Sequence, residues 1–523
     1  VRPTFVGGST GGELATDQWF RGDFAPFGGF EWQPDERWSL KAEYSTDAYV
    51  TETQVSNVFE RKSSVNYGVE YQYSDRVRLG AYYLYGAEIG FTAQIQLNPR
   101  QPTARLAVPA PYPVQPREQW AGPPESWDTA WLEDGETVPG LRDRLAGMLE
   151  RDGLVLEALE VRATEAELRY RNPRYTAQAA AVGRAARALA GTMPASVETF
   201  RLVPVIDGMA LSAVIIRRSD LEALEFDPQS AAALLAVTGF ADAAHRPGPT
   251  AMSGPDLYPD FSWSVAQYFA PSYFDPSLPF RLDLGADLRL TYRPAPGWRI
   301  SGKLRQRVWG NVKDGRASNS VLPHVRTDRV RYAQYGTTLE NLYVARQWRP
   351  GRNLYARLTA GYFEMMYGGL SGEILWKPVG SRLGLGIEGN YLIQRDYDQR
   401  FGFRDYDVFS GHASAYLDLG RGYGAQVDVG RYLAGDYGAT FTLERTFANG
   451  WSFGGFFSQT NVSAADFGEG SFDKGIRFRI PLSSLLGKPS RAGMGLTIRP
   501  VQRDGGQRVN MPGRLYNQVR EAH

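Results

Sequence analysis

RLDLGADLRLTY, from Arg281 to Tyr292, sets Leu282, Leu284, Ala286, Leu288, Leu290 and Tyr292 at every second position, with Arg281, Asp283, Asp287 and Arg289 between them. Side chains alternate across a strand, so one face of this segment calls for lipid or a dry core and the other for water. The run is about twice the ordinary strand length of five or six residues, and it matches the roughly nine to eleven that a tilted strand needs to cross a bilayer.

The pattern returns along most of the chain. Val65, Tyr67, Val69, Tyr71 and Tyr73 alternate with Asn66, Glu70 and Gln72, and Phe91, Ala93, Ile95 and Leu97 with Thr92, Gln94 and Gln96. Leu383, Leu385, Ile387, Tyr391 and Ile393 oppose Glu388 and Asn390, while Tyr423, Ala425, Val427 and Val429 oppose Gln426 and Asp428. Phe472, Lys474, Ile476, Phe478 and Ile480 alternate with Asp473, Arg477 and Arg479, with Lys474 as the one charge on the apolar side. Alternating segments of about ten residues, separated by Gly, Asp, Asn and Pro turns, are the signature of a transmembrane β-barrel. A soluble sandwich or propeller also alternates, but with shorter strands. Aromatics make up 13% of the chain, and Tyr44, Tyr73, Tyr292, Tyr362 and Tyr432 fall near strand ends, where interfacial girdles form.

Between residues 103 and 255 the texture changes. Pro102, Pro109, Pro111, Pro113 and Pro116 make an extended linker. The spacing of Leu141, Leu145 and Leu149 predicts a helix over 139–151. Strands follow near 154–161 and 165–171, then an Ala-rich helix over 175–190 and strands near 197–206 and 210–217. Helix, strand, strand, helix, strand, strand describes a small α+β module inserted between strand-rich regions. The expected domains are barrel strands over 1–102, linkers and module over 103–255, barrel strands over 256–500 and a periplasmic or lumenal tail over 501–523. The count is five or six strands before the linker and about fourteen after the module, in one very large barrel or two adjacent ones.

Composition narrows the function. A mean hydropathy of −0.37 and 22% charged residues suit a barrel with a wet interior, and no apolar run reaches the length of a transmembrane helix; the longest, around Ala231 to Phe240, is too short. With no cysteine in 523 residues, neither disulfides nor thiol chemistry contribute. A formal charge of +1 gives no ground for a nucleic-acid partner. Gly7, Gly8, Ser9, Thr10 and Gly11 satisfy G-x-S-x-G without the strand and helix that a nucleophile elbow needs. His245, His324, His412 and His523 have no metal-ligand spacing, leaving only a lipase-like pairing of His324 or His412 with a serine as a minor alternative. Lys488 after Gly487 lacks a phosphate-loop register. The expectation is a protein that is not an enzyme and holds no cofactor or metal; the acidic stretch Asp466, Glu469 and Asp473 reads as a tight turn rather than a calcium loop.

Towards the carboxyl terminus longer motifs appear: WGN at Trp309–Asn311, LPHVRTD at Leu322–Asp328, RYLAGDYGATFTLERTFANGW at Arg431–Trp451, DFGEGSFDKG at Asp466–Gly475, IPLSSLLG at Ile480–Gly487 and RPVQRDGGQR at Arg499–Arg508. Together with GGFEWQPDERWSLKAEYSTDAY at Gly28–Tyr49, they resemble the YjbH-like (GfcD-like) outer-membrane proteins associated with exopolysaccharide and capsule secretion. The resemblance implies a bacterial outer-membrane β-barrel with its module in the periplasm. Its implied partners are outer-membrane lipid, a secreted polysaccharide, and periplasmic proteins and lipoproteins of the same export system. Family members carry further strands upstream, so the chain reads as incomplete at its amino end, and its last membrane strand is expected at Gly493–Arg499.

The candidate lumen or family-motif residues are Trp309, His324, Arg326, Asp328, Arg431, Asp436, Glu469, Asp473, Lys474, Arg503, Asp504 and Arg508. Arg431 and Asp436, with Glu444 and Arg445, are expected to line the lumen and pair there. Arg503, Asp504 and Arg508 either plug or anchor the periplasmic mouth or belong to a solvated tail. The expected function is export or assembly of an exopolysaccharide or capsule, with lumenal Tyr and Trp rings stacking on sugars beside a mixed-charge wall. A passive porin and a plugged structural scaffold stand as alternatives, the segments 309–331 and 394–407 being long enough to constrict a pore.

Overall fold

The computed structural model describes residues 24–55, 59–96, 107–114, 116–117, 128–273, 280–468, 471–500 and 502–520. The chain divides at about residue 105 into two compact units.

The first unit is an antiparallel meander of five strands: β1 (Phe27–Trp32), β2 (Trp38–Ser45), β3 (Val65–Ser74), β4 (Val77–Leu84) and β5 (Glu88–Ile95). Period-2 alternation sorts its side chains. Phe30, Tyr67, Phe91 and Ile95 stand exposed on one face. On the other, Glu70 accepts from Lys41 Nζ at 2.8 Å and from the Tyr82 hydroxyl at 2.5 Å.

The second unit begins with α1 (Thr137–Arg151), β6 (Val155–Val161), β7 (Glu165–Arg171), α2 (Gln178–Thr192), β8 (Thr199–Ile206), β9 (Met209–Ala210) and β10 (Ser212–Arg217). It continues through α3 (Arg218–Leu224), α4 (Ser230–Val237), β11 (Gly239–Asp242) and β12 (Met252–Ser253). β7 and β8 are parallel, as a crossover through α2 requires, in a sheet of order β11-β10-β8-β7-β6-β12. Leu141, Leu145 and Leu149 on one stripe of α1 pack with Leu159, Leu168 and Phe200 in a dry core. The two later helices and two short strands lie beyond the expected six elements; the apolar run near Ala231 is split between α4 and β11. No helix among the described residues is long and apolar enough to cross a membrane.

Thirteen antiparallel strands follow: β13 (Asp260–Tyr273), β14 (Phe280–Arg293), β15 (Trp298–Gly310), β16 (Thr337–Gly351), β17 (Leu354–Tyr362), β18 (Tyr367–Trp376) and β19 (Leu383–Arg395). The rest are β20 (Phe403–Gly420), β21 (Tyr423–Arg431), β22 (Tyr437–Thr446), β23 (Ser452–Thr460), β24 (Asp473–Pro481) and β25 (Gly493–Ile498). Tyr273 and Arg281 from the first two strands line one cavity with Thr497 from the last, so the sheet curls round into a nearly closed barrel. Among the described residues no ladder joins β13 to β25.

Inside and outside follow the alternation. Leu358, Leu370, Ile374, Ile387 and Phe409 are exposed on the outer face, and Arg357, Glu373, Glu388 and Asn390 are buried on the inner one. Tyr44, Tyr73 and Tyr292 are exposed as a girdle requires, but Tyr432 is not: it is fully buried, bonded to the Thr440 hydroxyl at 2.7 Å and edge-on to His412.

The two ends of the barrel differ. At one, β16 passes to β17 and β20 to β21 through tight turns at Asn353 and Gly422. At the other, a long segment, 311–336, separates β15 from β16. The α+β elements meet the short-turn end: Arg299 donates to Asp207 at 2.5 Å, and Arg349 bonds Asp242 and the carbonyls of Ala210 and Leu211.

Candidate functional site

The inner wall carries charge held in balance. Arg357, fully buried on β17, lies 3.0 Å from Glu373 and 3.4 Å from Glu388, and donates to Thr359 and Ser371. Two strands away, Arg305 of β15 bonds Asp287 and Glu340 at 2.8 and 2.5 Å beneath the Tyr268 ring. A strand that exposes its apolar face outward must turn such groups inward, where only mutual pairing offsets the loss of water.

The lumen is occupied. After β25 the tail 502–520 runs back through the barrel from the long-loop end to the short-turn end. Asp504, fully buried, accepts from Arg326 N at 2.7 Å, Thr327 N at 3.0 Å and the Thr327 hydroxyl at 2.6 Å. Leu433 N bonds Gln507 O at 2.9 Å. Midway, Arg508 meets Asp428 at 2.7 Å and Arg514 grips Glu388 at 2.8 and 3.0 Å. Leu515 N donates to Glu373, and Arg520 reaches Glu444 at 3.0 Å. A short helix, Leu515–Val519, then packs with Met209 and Leu211 against Tyr355, Leu375 and Tyr416. Segment 311–336 enters beside it, with Val325 and Tyr332 fully buried among barrel residues.

Beside this plug remains a cavity of about 820 Å³. Nine arginines line it, and no aspartate or glutamate among the described residues does. Four of them have carboxylates behind them: Arg326 with Glu364, Arg499 with Asp473, Arg508 with Asp428 and Arg514 with Glu388. Arg316, Arg329, Arg477 and Arg503 have no carboxylate within salt-bridge distance among the described residues; Arg503 instead donates to Phe467 O and Asn319. A second cavity of about 360 Å³ lies between the barrel and the α+β elements, and Arg514 borders both. Arginine is thus the commonest residue lining this cavity, and Tyr273 is the one aromatic among its described lining residues.

The structure distributes the expected residues unevenly. Arg326, Asp328, Asp436, Asp473, Arg503, Asp504 and Arg508 all belong to the lumen and its plug. Asp328 accepts from the Tyr397 hydroxyl at 2.7 Å and contacts His324 Nδ1 at 3.0 Å, while His324 Nε2 lies 3.1 Å from Ser320 O. Asp436 accepts from Gly506 N at 2.8 Å, and burial pushes its carboxyl above the usual range. Trp309 faces outward, and a β-bulge is the reason: pairing jumps from Leu284↔Trp309 to Gly285↔Arg307, so Val308 and Trp309 are both exposed. Lys474 also shares the outer side, over the Phe472 ring and paired with Phe457. Arg431 and Arg445 lie over Tyr437 and Tyr423 on the outer side and do not pair with Asp436 and Glu444. Glu469, like Gly7–Gly11 and His523, lies outside the described residues; Asp466 accepts from Ser463 and Asp473 pairs with Arg499. Neither ring nitrogen of buried His412 has a hydrogen-bond partner. Glu388 and Asp428 were read from the sequence only as the polar side of their strands, and Arg357 and Arg514 not at all; the signal for Arg357 was a charge at an inward register position of a long strand, and for Arg514 there was none.

A porin from Pseudomonas aeruginosa, OccK11 (OpdR), aligns over 56% of this chain and 74% of its own, at 12% identity and a TM-score of 0.25. The "Uncharacterized lipoprotein YjbH" of Escherichia coli (strain K12) is 26% identical over 525 aligned residues, covering 97% of this chain and 72% of that protein. The family model described as exopolysaccharide biosynthesis protein YbjH matches residues 1–521. With that match spanning the two strand-rich regions and all that lies between them, the chain belongs to the YjbH family of exopolysaccharide-related proteins.

Proposed function

We propose that this protein is a non-catalytic outer-membrane β-barrel that takes part in exopolysaccharide export, with a lumen gated by its own tail. The observation that carries the reading is the tail itself. Ion pairs and hydrogen bonds hold it along the lumen, Val509, Met511, Leu515 and Val519 sit in small apolar clusters along the way, and an open cavity remains alongside. A ligand rich in hydroxyls or charge can replace such polar contacts one for one and so offset the cost of breaking them, which an apolar contact does not allow.

A membrane location is supported by strands of 14 residues in β13 and β14 and by an outer face of exposed Leu, Ile and Phe. Transmembrane barrels keep short turns on the periplasmic side, which supports a periplasmic α+β module that recruits periplasmic proteins and lipoproteins of the export system. The lipoprotein in the relative's name accords with an envelope setting. The filled lumen disfavours a passive porin and supports, as the second reading, a plugged scaffold for another export channel.

Locking the tail separates these two. The chain has no cysteine, and Leu433 N donates to Gln507 O at 2.9 Å, so a cysteine pair or a short bifunctional linker at these two positions ties the tail to the wall. In cells carrying Leu433→Cys with Gln507→Cys, a gated conduit stops releasing polymer when oxidised and resumes with reductant. Unchanged release from the oxidised form transfers the role to the scaffold, and release that persists without the protein removes the export role.

A further inference from the structure

The chain as a whole carries a formal charge of +1, yet one cavity gathers nine guanidinium groups and no lining carboxylate among the described residues. Arginine does not shed its charge at any ordinary pH, so such a surface repels itself until anions are supplied. The wall supplies some: four of the nine have carboxylates behind them. Arg316, Arg329 and Arg477 have no carboxylate within salt-bridge distance among the described residues; Arg477 rests on the Phe456 ring, and Arg499 adds like charge beside it.

The placement is extended rather than focal. Arg316 and Arg329 come from segment 311–336 at the long-loop end, Arg477 from the middle of β24, and Arg514 from the tail near the second cavity. A single small anion meets one or two such groups; a chain bearing anions at intervals meets them in succession. The volume of about 820 Å³ is that of a site enclosing a small organic molecule, hence a few linked sugars. Guanidinium forks match carboxylates in geometry, and positive walls of low dielectric focus their field on the entrant.

We infer that this cavity is a binding site for an acidic polysaccharide, a sugar polymer whose carboxylates step along the lumenal arginines. The inference rests on the export reading and adds the charge class of the polymer. Entry of such a chain competes directly for Arg508 and Arg514, the two residues that tie the tail to Asp428 and Glu388.

The test is binding to the full chain in nanodiscs, with hexagalacturonate, neutral maltohexaose and inorganic phosphate as probes. The expected result is hexagalacturonate tighter than maltohexaose by about tenfold or more at low salt, an advantage that shrinks as salt screens the cavity. The triple substitution Arg316→Gln, Arg329→Gln, Arg477→Gln should remove most of that advantage, and the corresponding lysine substitutions should keep most of it. Arg477→Gln alone serves the same comparison if the triple variant melts early. Equal binding of the neutral hexamer, displacement by phosphate at matched concentration, or an unchanged glutamine variant would overturn the acidic-polymer site. Polymer release from cells lacking the protein is scored in parallel. Release that depends on the protein while the hexamers bind alike sinks only the charge class; release that does not depend on it sinks the export reading.

Discussion

Arg357 shows what an inward register position demands. Its guanidinium is fully enclosed and stands between Glu373 and Glu388. Arg357→Ala leaves Glu373 without an ion partner out of water, beside a Glu388 that keeps only Arg514 and the more distant Arg508, so the expected loss of stability is about 3 to 5 kcal/mol by urea unfolding in micelles. Arg316→Ala, on an exposed side chain with no ion pair among the described residues, should shift the same curve hardly at all. At the joint with the α+β elements, burial acts to raise the Asp242 carboxyl. Donors from Ala244 N, Asn353 N and Arg349 outweigh it and hold the group below the usual range. An acid depressed in the folded state contributes stability above its ordinary titration range and loses it as pH falls through the depressed value. The joint should therefore hold at neutral pH and loosen in strong acid, and Asp242→Asn should be looser at neutral pH and flatter with pH, read by proteolysis of the 218–260 region. Single side chains were also where the sequence misled. Parity along β15 is regular up to Arg307, and the extra residue at Val308 turns Trp309 outward; nothing in a linear alternation announces a bulge.

Strands and tail were unequally legible. A strand writes its two faces into every second residue, so β14, β19 and β24 could be read with their ends nearly in place, Arg281–Tyr292 becoming Phe280–Arg293. The α+β helices were legible for the same reason at period 3.6, through Leu141, Leu145 and Leu149. The tail has no period. Its partners lie far off in sequence, Asp504 bonding Thr327 and Arg514 bonding Glu388, so a plug and a solvated terminus look alike until the fold brings those positions together. Ending the chain after residue 501 removes the element that threads the lumen. Full-length protein in planar bilayers should be nearly silent, and the truncated form should conduct in large steps. A truncated protein equally silent would show that segment 311–336 seals the barrel alone.

For the whole molecule, net charge proved a poor guide, because +1 is the sum of balanced walls and one cationic cavity. Orientation is the property to test at this scale. Arg400 lies exposed between β19 and β20 at the long-loop end, and Asp227 lies exposed between α3 and α4. In the cysteine-free chain, Arg400→Cys should react with an impermeant maleimide on intact cells, and Asp227→Cys only after the outer membrane is breached. The reverse labelling would invert the protein and with it the direction of the tail.

Thirteen is an odd number of strands. In an antiparallel series it leaves β13 and β25 running the same way, so they cannot meet as every other pair in the wall does. β25 is also six residues long against fourteen for β13. A hoop whose strands are all laced together has its girth fixed by strand number and shear. Among the described residues this wall has no such lacing between β13 and β25, so strand number and shear alone do not set its girth. Tyr273 on one edge strand and Thr497 on the other both line the arginine cavity, so the seam lies beside the groups proposed to bind an acidic chain.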